Sequence, residues 1–338
     1  MDHLLVTGAT GFVGSSLTRV LHERGYALRC LIRPGATASN LRGLPHERVD
    51  GTLEDEGVLR DALRGVDGVV HLAALVSFDK RDRQRMFEIN VAGTERLASL
   101  ARQQGVRRFL HVSSTSAVGY SNSQATLDET APYNFRRLNI PYSDSKHDAE
   151  LAIQAQVRRG LDAVIVNPAS MFGPGDRRKA AGSLLEAVAY GKLPFCPAGG
   201  VCFADVRDVA AGCAAALERG RTGERYILGG QNLTGRELIG KICAVLAQRP
   251  PRFAIPRFVA LGMARLASFW EIFRPMKPPV TAAVLRSSPR YLWYSSRKAE
   301  EELSYASYPI EMAIKAAFDW MLDLDLIDSS RIQALGRV

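Results

Sequence analysis

Tyr142 and Lys146 stand four residues apart in Pro141-Tyr142-Ser143-Asp144-Ser145-Lys146. On a helix that spacing puts both side chains on one face. A phenol with its ordinary pKa of about 10 is a poor base at neutral pH, and a nearby ammonium favours the phenolate. Such a pair could exchange a proton with a hydroxyl or carbonyl. The spacing alone proves little, because Tyr294 and Lys298 repeat it. Tyr142 is the stronger candidate by position. It follows the Ser-rich segment Ser113-Ser114-Thr115-Ser116 and precedes a strand-like run, whereas Tyr294 lies in the less regular second half and reads as structural.

A second chemical signal opens the chain. Gly8-Ala9-Thr10-Gly11-Phe12-Val13-Gly14 follows the strand-like run His3–Thr7 and leads into a helical one, Phe12–Arg24. Gly8 permits a sharp turn out of the strand. Gly11 lets the backbone approach a pyrophosphate, and Gly14 lets the helix pack closely. The helix N-terminus then offers free N–H groups and a positive dipole end to the anion. Three spaced glycines are weak evidence by themselves; the strand–loop–helix context strengthens them. The second strand ends Leu31-Ile32-Arg33 without the carboxylate that would hold a ribose 2′-hydroxyl. Arg33 could instead pair with a 2′-phosphate, which favours NADP over NAD, or be a solvated strand-end residue.

The elements that must position these residues alternate. Strands are expected at His3–Thr7, Ala27–Ile32, Gly68–Leu72, Arg107–Val112 and Asp162–Val166. Helices are expected over Phe12–Arg24, Glu54–Gly65, Arg85–Gln104 and Tyr142–Arg159. Repeated β-α units with near-continuous apolar strands imply an α/β fold, a doubly wound parallel (Rossmann) sheet. Asn167–Asp176 reads as a Pro/Gly-marked loop. Helices at Asp208–Arg219 and Thr234–Ala247 follow, the latter with Thr234 and Glu237 as a capping box, and Arg225–Leu228 is a strand that could return to the sheet. We expect residues 1–169 and 203–229 to bind the dinucleotide. Residues 170–202 and 230–338 would form a smaller, discontinuous substrate domain.

Composition narrows the classes. A hydrophobic fraction of 46% and a charged fraction of 23% are ordinary globular usage, and no apolar run reaches the length of a bilayer span. The net charge of +9 is spread along the chain without a like-charged block, which speaks against nucleic acid. Five cysteines without a C-x-x-C pair, and a start that leads straight into a strand, read as reduced thiols in a cytoplasmic protein without a signal peptide. No His/Cys pattern has metal-ligand spacing. His71, ending a buried strand, reads as a packing residue. Pro256–Phe273 is apolar with interleaved arginines and reads as a pocket cover or dimer face, with contact at a membrane surface the lesser alternative.

The ordered motifs resemble the extended short-chain dehydrogenase/reductase family over about residues 1–230. They are Gly8–Gly14, His71-Leu72-Ala73-Ala74, Asn90-Val91-Ala92-Gly93-Thr94, Ser113–Gly119, Pro141–Lys146, Asn167-Pro168 with Phe172–Asp176, and Phe203 with Val206–Ala210. The likeness is greatest to the dihydroflavonol-reductase-like and 3β-hydroxysteroid-dehydrogenase-like branch, and Gly223–Thr234 is similar to hopanoid-associated sugar epimerases. The resemblance implies Ser114, Tyr142 and Lys146 as catalytic residues. Ser114 would polarise the substrate oxygen, chosen because it stands five residues before Gly119. Asn90 either positions backbone or water near the site or is a plain helix polar residue.

It also implies a cofactor path along Gly8, Thr10, Gly11, Phe12, Val13, Gly14, Arg33, Thr52, Leu53, Leu72, Ala73, Ala74, Val112, Tyr142, Lys146, Asn167, Pro168 and Ser170. Thr52 stands where many relatives have Asp. The expected cofactor is NADP, with NAD the alternative, and the expected partner is a small-molecule substrate touching Ser77, Phe78 and Met171. Relatives often pair through two long helices, which leaves a homodimer open. The implied activity is hydride transfer between NADP(H) and a carbonyl or secondary alcohol. The alternative is a nucleotide-sugar epimerase that retains its cofactor. A dehydratase is disfavoured, because Thr115 is followed by Ser116-Ala117 rather than an acidic pair.

Overall fold

A computed structural model describes residues 2–77, 79–177, 181–273 and 286–328. The apolar runs form the strands β1 (His3–Thr7), β2 (Ala27–Ile32), β4 (Gly68–His71), β5 (Arg108–Val112), β6 (Ala163–Pro168) and β9 (Arg225–Leu228). With β3 (Glu47–Asp50) they make a seven-stranded sheet ordered β3-β2-β1-β4-β5-β6-β9. Every pairing is parallel. Both faces must therefore be covered, and β4, β5 and β6 are buried throughout. Leu4, Val6, Val70 and Leu110 pack on one face with α1 (Phe12–Glu23) and α7 (Val206–Arg219). Leu5, Val69 and Phe109 pack on the other with α2 (Glu56–Ala62) and α4 (Gly93–Gln103). The strand order reverses between β1 and β4, the place where this architecture opens a ligand crevice.

Two expectations are revised. The helix expected over residues 85–104 comes in pieces. These are α3 (Arg83–Phe87), a π-helical turn at Glu88–Ala92, and α4. The wide turn lets Asn90 face inward. It also brings Gly93 against Leu53, where a Cβ would lie 2.9 Å from the Leu53 Cβ. The loop expected at Asn167–Asp176 is partly strand. β6 runs on to Pro168, and β7 (Ser170–Phe172) pairs in parallel with β8 (Gly200–Asp205), where Phe172 stacks on Phe203 with centroids 4.6 Å apart.

β8 anchors the second sheet. β10 (Gln231–Thr234) pairs with it antiparallel and β11 (Tyr291–Leu292) parallel. Its core gathers α6 (Gly182–Ala189), α8 (Gly235–Val245) and α11 (Ile310–Asp323) through Leu185, Ile239, Ile242 and Ile314. The capping box of α8 forms as the sequence predicts. α9 (Arg257–Phe273) keeps Phe258 and Leu266 exposed, and α10 (Arg297–Leu303) covers β9. Among the described residues, no helix is long and apolar enough to cross a membrane.

Candidate active site

The carboxyl ends of β1 and β4 meet at the glycine loop. Gly8 has φ +77°, and a Cβ there would come within 2.6 Å of the Ala73 N atom. A Cβ on Gly14 would lie 2.0 Å from the Gly8 carbonyl oxygen. A side chain is excluded at Gly8 by torsion and by contact, and at Gly14 by contact alone. Gly11 is the N-cap of α1 and supplies no side-chain acceptor to the first turn. These features fit a pyrophosphate: a cradle that only glycine can line, at a helix N-terminus without its own cap.

The rest of the expected cofactor path lies along the same edge. Thr10, Phe12 and Val13 are half-buried in and after the loop. Leu72, Ala73 and Ala74 follow β4, and the Ala73 N–H donates to the Thr7 hydroxyl at 3.3 Å. Thr52 and buried Leu53 follow β3, with the Leu53 carbonyl held by Arg96 at 2.7 Å. Arg33 is exposed at the end of β2. Val112, Asn167 and Pro168 close β5 and β6, and Ser170 is exposed at the start of β7.

α5 (Pro141–Val157) supplies the chemistry from one face. Tyr142 is half-buried and hydrogen-bonded to the Ser114 hydroxyl. Burial raises its phenol, and the Ser114 bond works in the opposite direction. The sequence leads one to expect the ammonium of Lys146 to lower the phenol. In the structure Lys146 Nζ donates to the Val112 carbonyl at 2.9 Å, and burial is the larger influence on the Tyr142 phenol. Lys146 itself is buried, and desolvation lowers it to about 8 against the attraction of Glu150.

Glu150, one turn beyond Lys146, was not singled out by sequence reasoning. It is buried and accepts hydrogen bonds from the Ser113 hydroxyl and from Asn167 Nδ2, the latter at 2.6 Å. Arg225 pairs with its other oxygen at 3.3 Å. Asn167 Nδ2 also donates to the Ser114 carbonyl at 2.9 Å. The signal for Glu150 was available: it continues the i, i+4 face of Tyr142 and Lys146.

Asn90 faces this cluster from the π-helical turn. Its Oδ1 accepts from the Leu75 N–H at 2.7 Å. Its Nδ2 donates to the Leu75 carbonyl and to the Ser145 hydroxyl, both at 2.9 Å. It thus ties the segment after β4 to α5. His71 is held between the Thr7 and Thr94 hydroxyls, at 2.7 and 2.8 Å, and burial lowers its pKa to about 3, so it stays neutral.

The described substrate candidates, Ser77 and Met171, stand on different elements, after β4 and on β7. Ser77 donates to Asp82 at 2.6 Å, Met171 packs against the first core from β7, and Phe78 lies outside the described residues. The rival pair separates: the Tyr294 phenol is buried against Gly119, while Lys298 pairs with Glu224 at 2.5 Å.

Comparison with known proteins gives the same architecture. A family model described as "NAD dependent epimerase/dehydratase family" matches residues 4–229. Sterol demethylase protein B of Methylococcus capsulatus is 37% identical over 294 residues, covering 87% of each chain. Cinnamoyl-CoA reductase 1 of Oryza sativa subsp. japonica is 31% identical over 261 residues, 72% of this chain and 76% of that one. Among solved structures, a nucleoside-diphosphate-sugar epimerase from Pseudomonas aeruginosa superposes with a TM-score of 0.80 at 26% identity, covering 97% of this chain and 99% of that one.

Proposed function

We propose a function from one premise: the chain belongs to the NAD dependent epimerase/dehydratase family, within the extended short-chain dehydrogenases/reductases. It is an NAD(P)-dependent enzyme. Within that frame we read it as an oxidoreductase of ketones or aldehydes and the matching secondary alcohols, using NADP(H). The observation that carries the reading is the convergence of Tyr142, Ser114 and buried Lys146 at the carboxyl edge of the sheet, beside the glycine cradle.

Each residue has a task. The loop Gly8–Gly14 and the first turn of α1 would hold the pyrophosphate, and Arg33 a 2′-phosphate. Lys146, close to neutral in its pKa, would bind ribose hydroxyls. Ser114 donates a hydrogen bond to the substrate oxygen, and Tyr142 delivers or removes its proton. The nicotinamide, when bound, supplies or accepts the hydride. The second sheet would face the substrate from one side, with Met171 on β7, and the segment after β4, with Ser77, from the other. Five buried free thiols support a cytoplasmic setting.

One observation favours a second reading, an epimerase that keeps its cofactor. Asn40 Nδ2 donates to the Thr10 carbonyl at 3.3 Å and the Gly175 carbonyl at 3.4 Å, fastening the chain after β7 across the glycine loop. Such a fastening would slow cofactor exchange. A screen of carbonyl compounds and nucleotide sugars with NADPH and NADH separates the two. A reductase consumes added NADPH. An epimerase purifies with nicotinamide bound and interconverts sugars without net absorbance change. If neither occurs, both readings fail.

A further inference from the structure

The segment that carries Ser114 is held largely by side chains from elsewhere. Ser114 N-caps a short 3-10 turn, Thr115–Ala117, and its hydroxyl accepts from the Ser116 N–H at 3.1 Å. Asn167 on β6 holds the Ser114 carbonyl at 2.9 Å. His147 Nδ1 on α5 lies 3.3 Å from the Ala117 carbonyl. Asn134 holds both the N–H and the carbonyl of Tyr120, at 3.0 and 2.9 Å. The fourth partner comes from the second half of the chain. The Tyr294 hydroxyl donates to the Gly119 carbonyl at 2.7 Å and lies 3.3 Å from the Thr115 carbonyl.

Tyr294 is itself fixed. Its side chain is 4% exposed and packs with Val118, Ala169 and Ile227. Asn232 on β10 grips its backbone, donating to its carbonyl and accepting from its N–H, both at 3.0 Å. A buried carbonyl that loses its donor must move or stay unsatisfied. Phenylalanine at 294 would fill the same space and leave the Gly119 carbonyl in that state.

We propose that Tyr294 is a positioning residue for Ser114, through which the second sheet sets the placement of the catalytic turn. The proposal rests on the reading of Ser114 given above. Buried beneath the turn, Tyr294 would act through it and not by its own contact with a ligand.

The test is Tyr294→Phe in the full chain, read in two ways. Hydrogen exchange should rise about tenfold or more in amides 115–120 while those of the glycine loop and the affinity for NADPH stay at wild-type values. With a substrate from the screen, kcat should fall about 10- to 100-fold with KM changed far less, as expected when a reacting group is misplaced. In a Ser114→Ala background the same substitution should add less than about twofold. Unchanged exchange at 115–120 overturns the proposal whatever the activity. So does unchanged kcat, or an equal loss in the Ser114→Ala background. If Tyr294→Phe does not fold, Asn232→Ala must produce the same selective rise in exchange, and its absence overturns the proposal. Wild-type protein inactive on every substrate sinks the reading of Ser114 instead, while the exchange result still decides whether Tyr294 holds the turn.

Discussion

Lys146 Nζ donates to the carbonyl of Val112, the last residue of β5, at 2.9 Å. The bond fixes the amine beneath the strand end that leads to Ser114, and it joins helix α5 to the sheet at the catalytic edge. Glu150, one turn on, favours the charged form, yet burial outweighs that attraction.

The depressed Lys146 gives a pH signature. Its pKa falls from 10.5 to about 8, which corresponds to about 3 kcal/mol. Between those values the unfolded chain binds a proton that the folded chain does not, so folding stability rises with pH across that window and is lost as pH falls towards 8. Lys146→Met has no such term. Denaturant titrations should show the wild type gaining on Lys146→Met by up to about 3 kcal/mol from pH 8 to pH 10.5. A constant difference would refute the depressed amine.

Tyr142→Phe removes one hydroxyl and leaves the glycine loop untouched. Turnover should drop about 100-fold or more, the range set by losing a general acid–base. NADPH affinity by calorimetry should match the wild type. A variant that keeps its rate would remove Tyr142 from the proton path.

Gly14→Ala places a methyl group 2.0 Å from the Gly8 carbonyl oxygen, so helix or loop must shift. Dinucleotide affinity should fall at least about tenfold, and the melting temperature should drop with it. Wild-type binding by this variant would show that the loop is not the pyrophosphate cradle.

Arg33 is exposed at the end of β2, where a 2′-phosphate would arrive. Arg33→Asp should shift the ratio of kcat/KM with NADPH to that with NADH towards NADH by about tenfold or more, since a carboxylate repels the phosphate and suits a free 2′-hydroxyl. An unaltered ratio assigns Arg33 to the solvated surface.

What the sequence revealed was local. The glycine loop, the Tyr142/Lys146 face and the alternation of strands and helices are each written in spacings of a few residues, and the parallel sheet forms from those runs. Contacts over long separations were invisible. Asn167, His147, Asn134 and Tyr294 come from four parts of the chain to hold one short turn, and no spacing records that. The same holds for β7, hidden in a Pro/Gly-rich stretch and made a strand by β8. Glu150 lay within reach of the helical periodicity, because it shares the face of the two residues that were found.

The π-helical turn at Glu88–Ala92 makes the length of its helix count more than its composition. Deleting one residue there would restore regular winding, at about 100° per residue, and rotate what precedes it relative to α4. The Asn90 amide would swing away from Leu75, and the Leu75 N–H and carbonyl would lose their partner at once. Point changes on the outer side of this helix leave that alignment alone; a frame-preserving loss of a single codon destroys it.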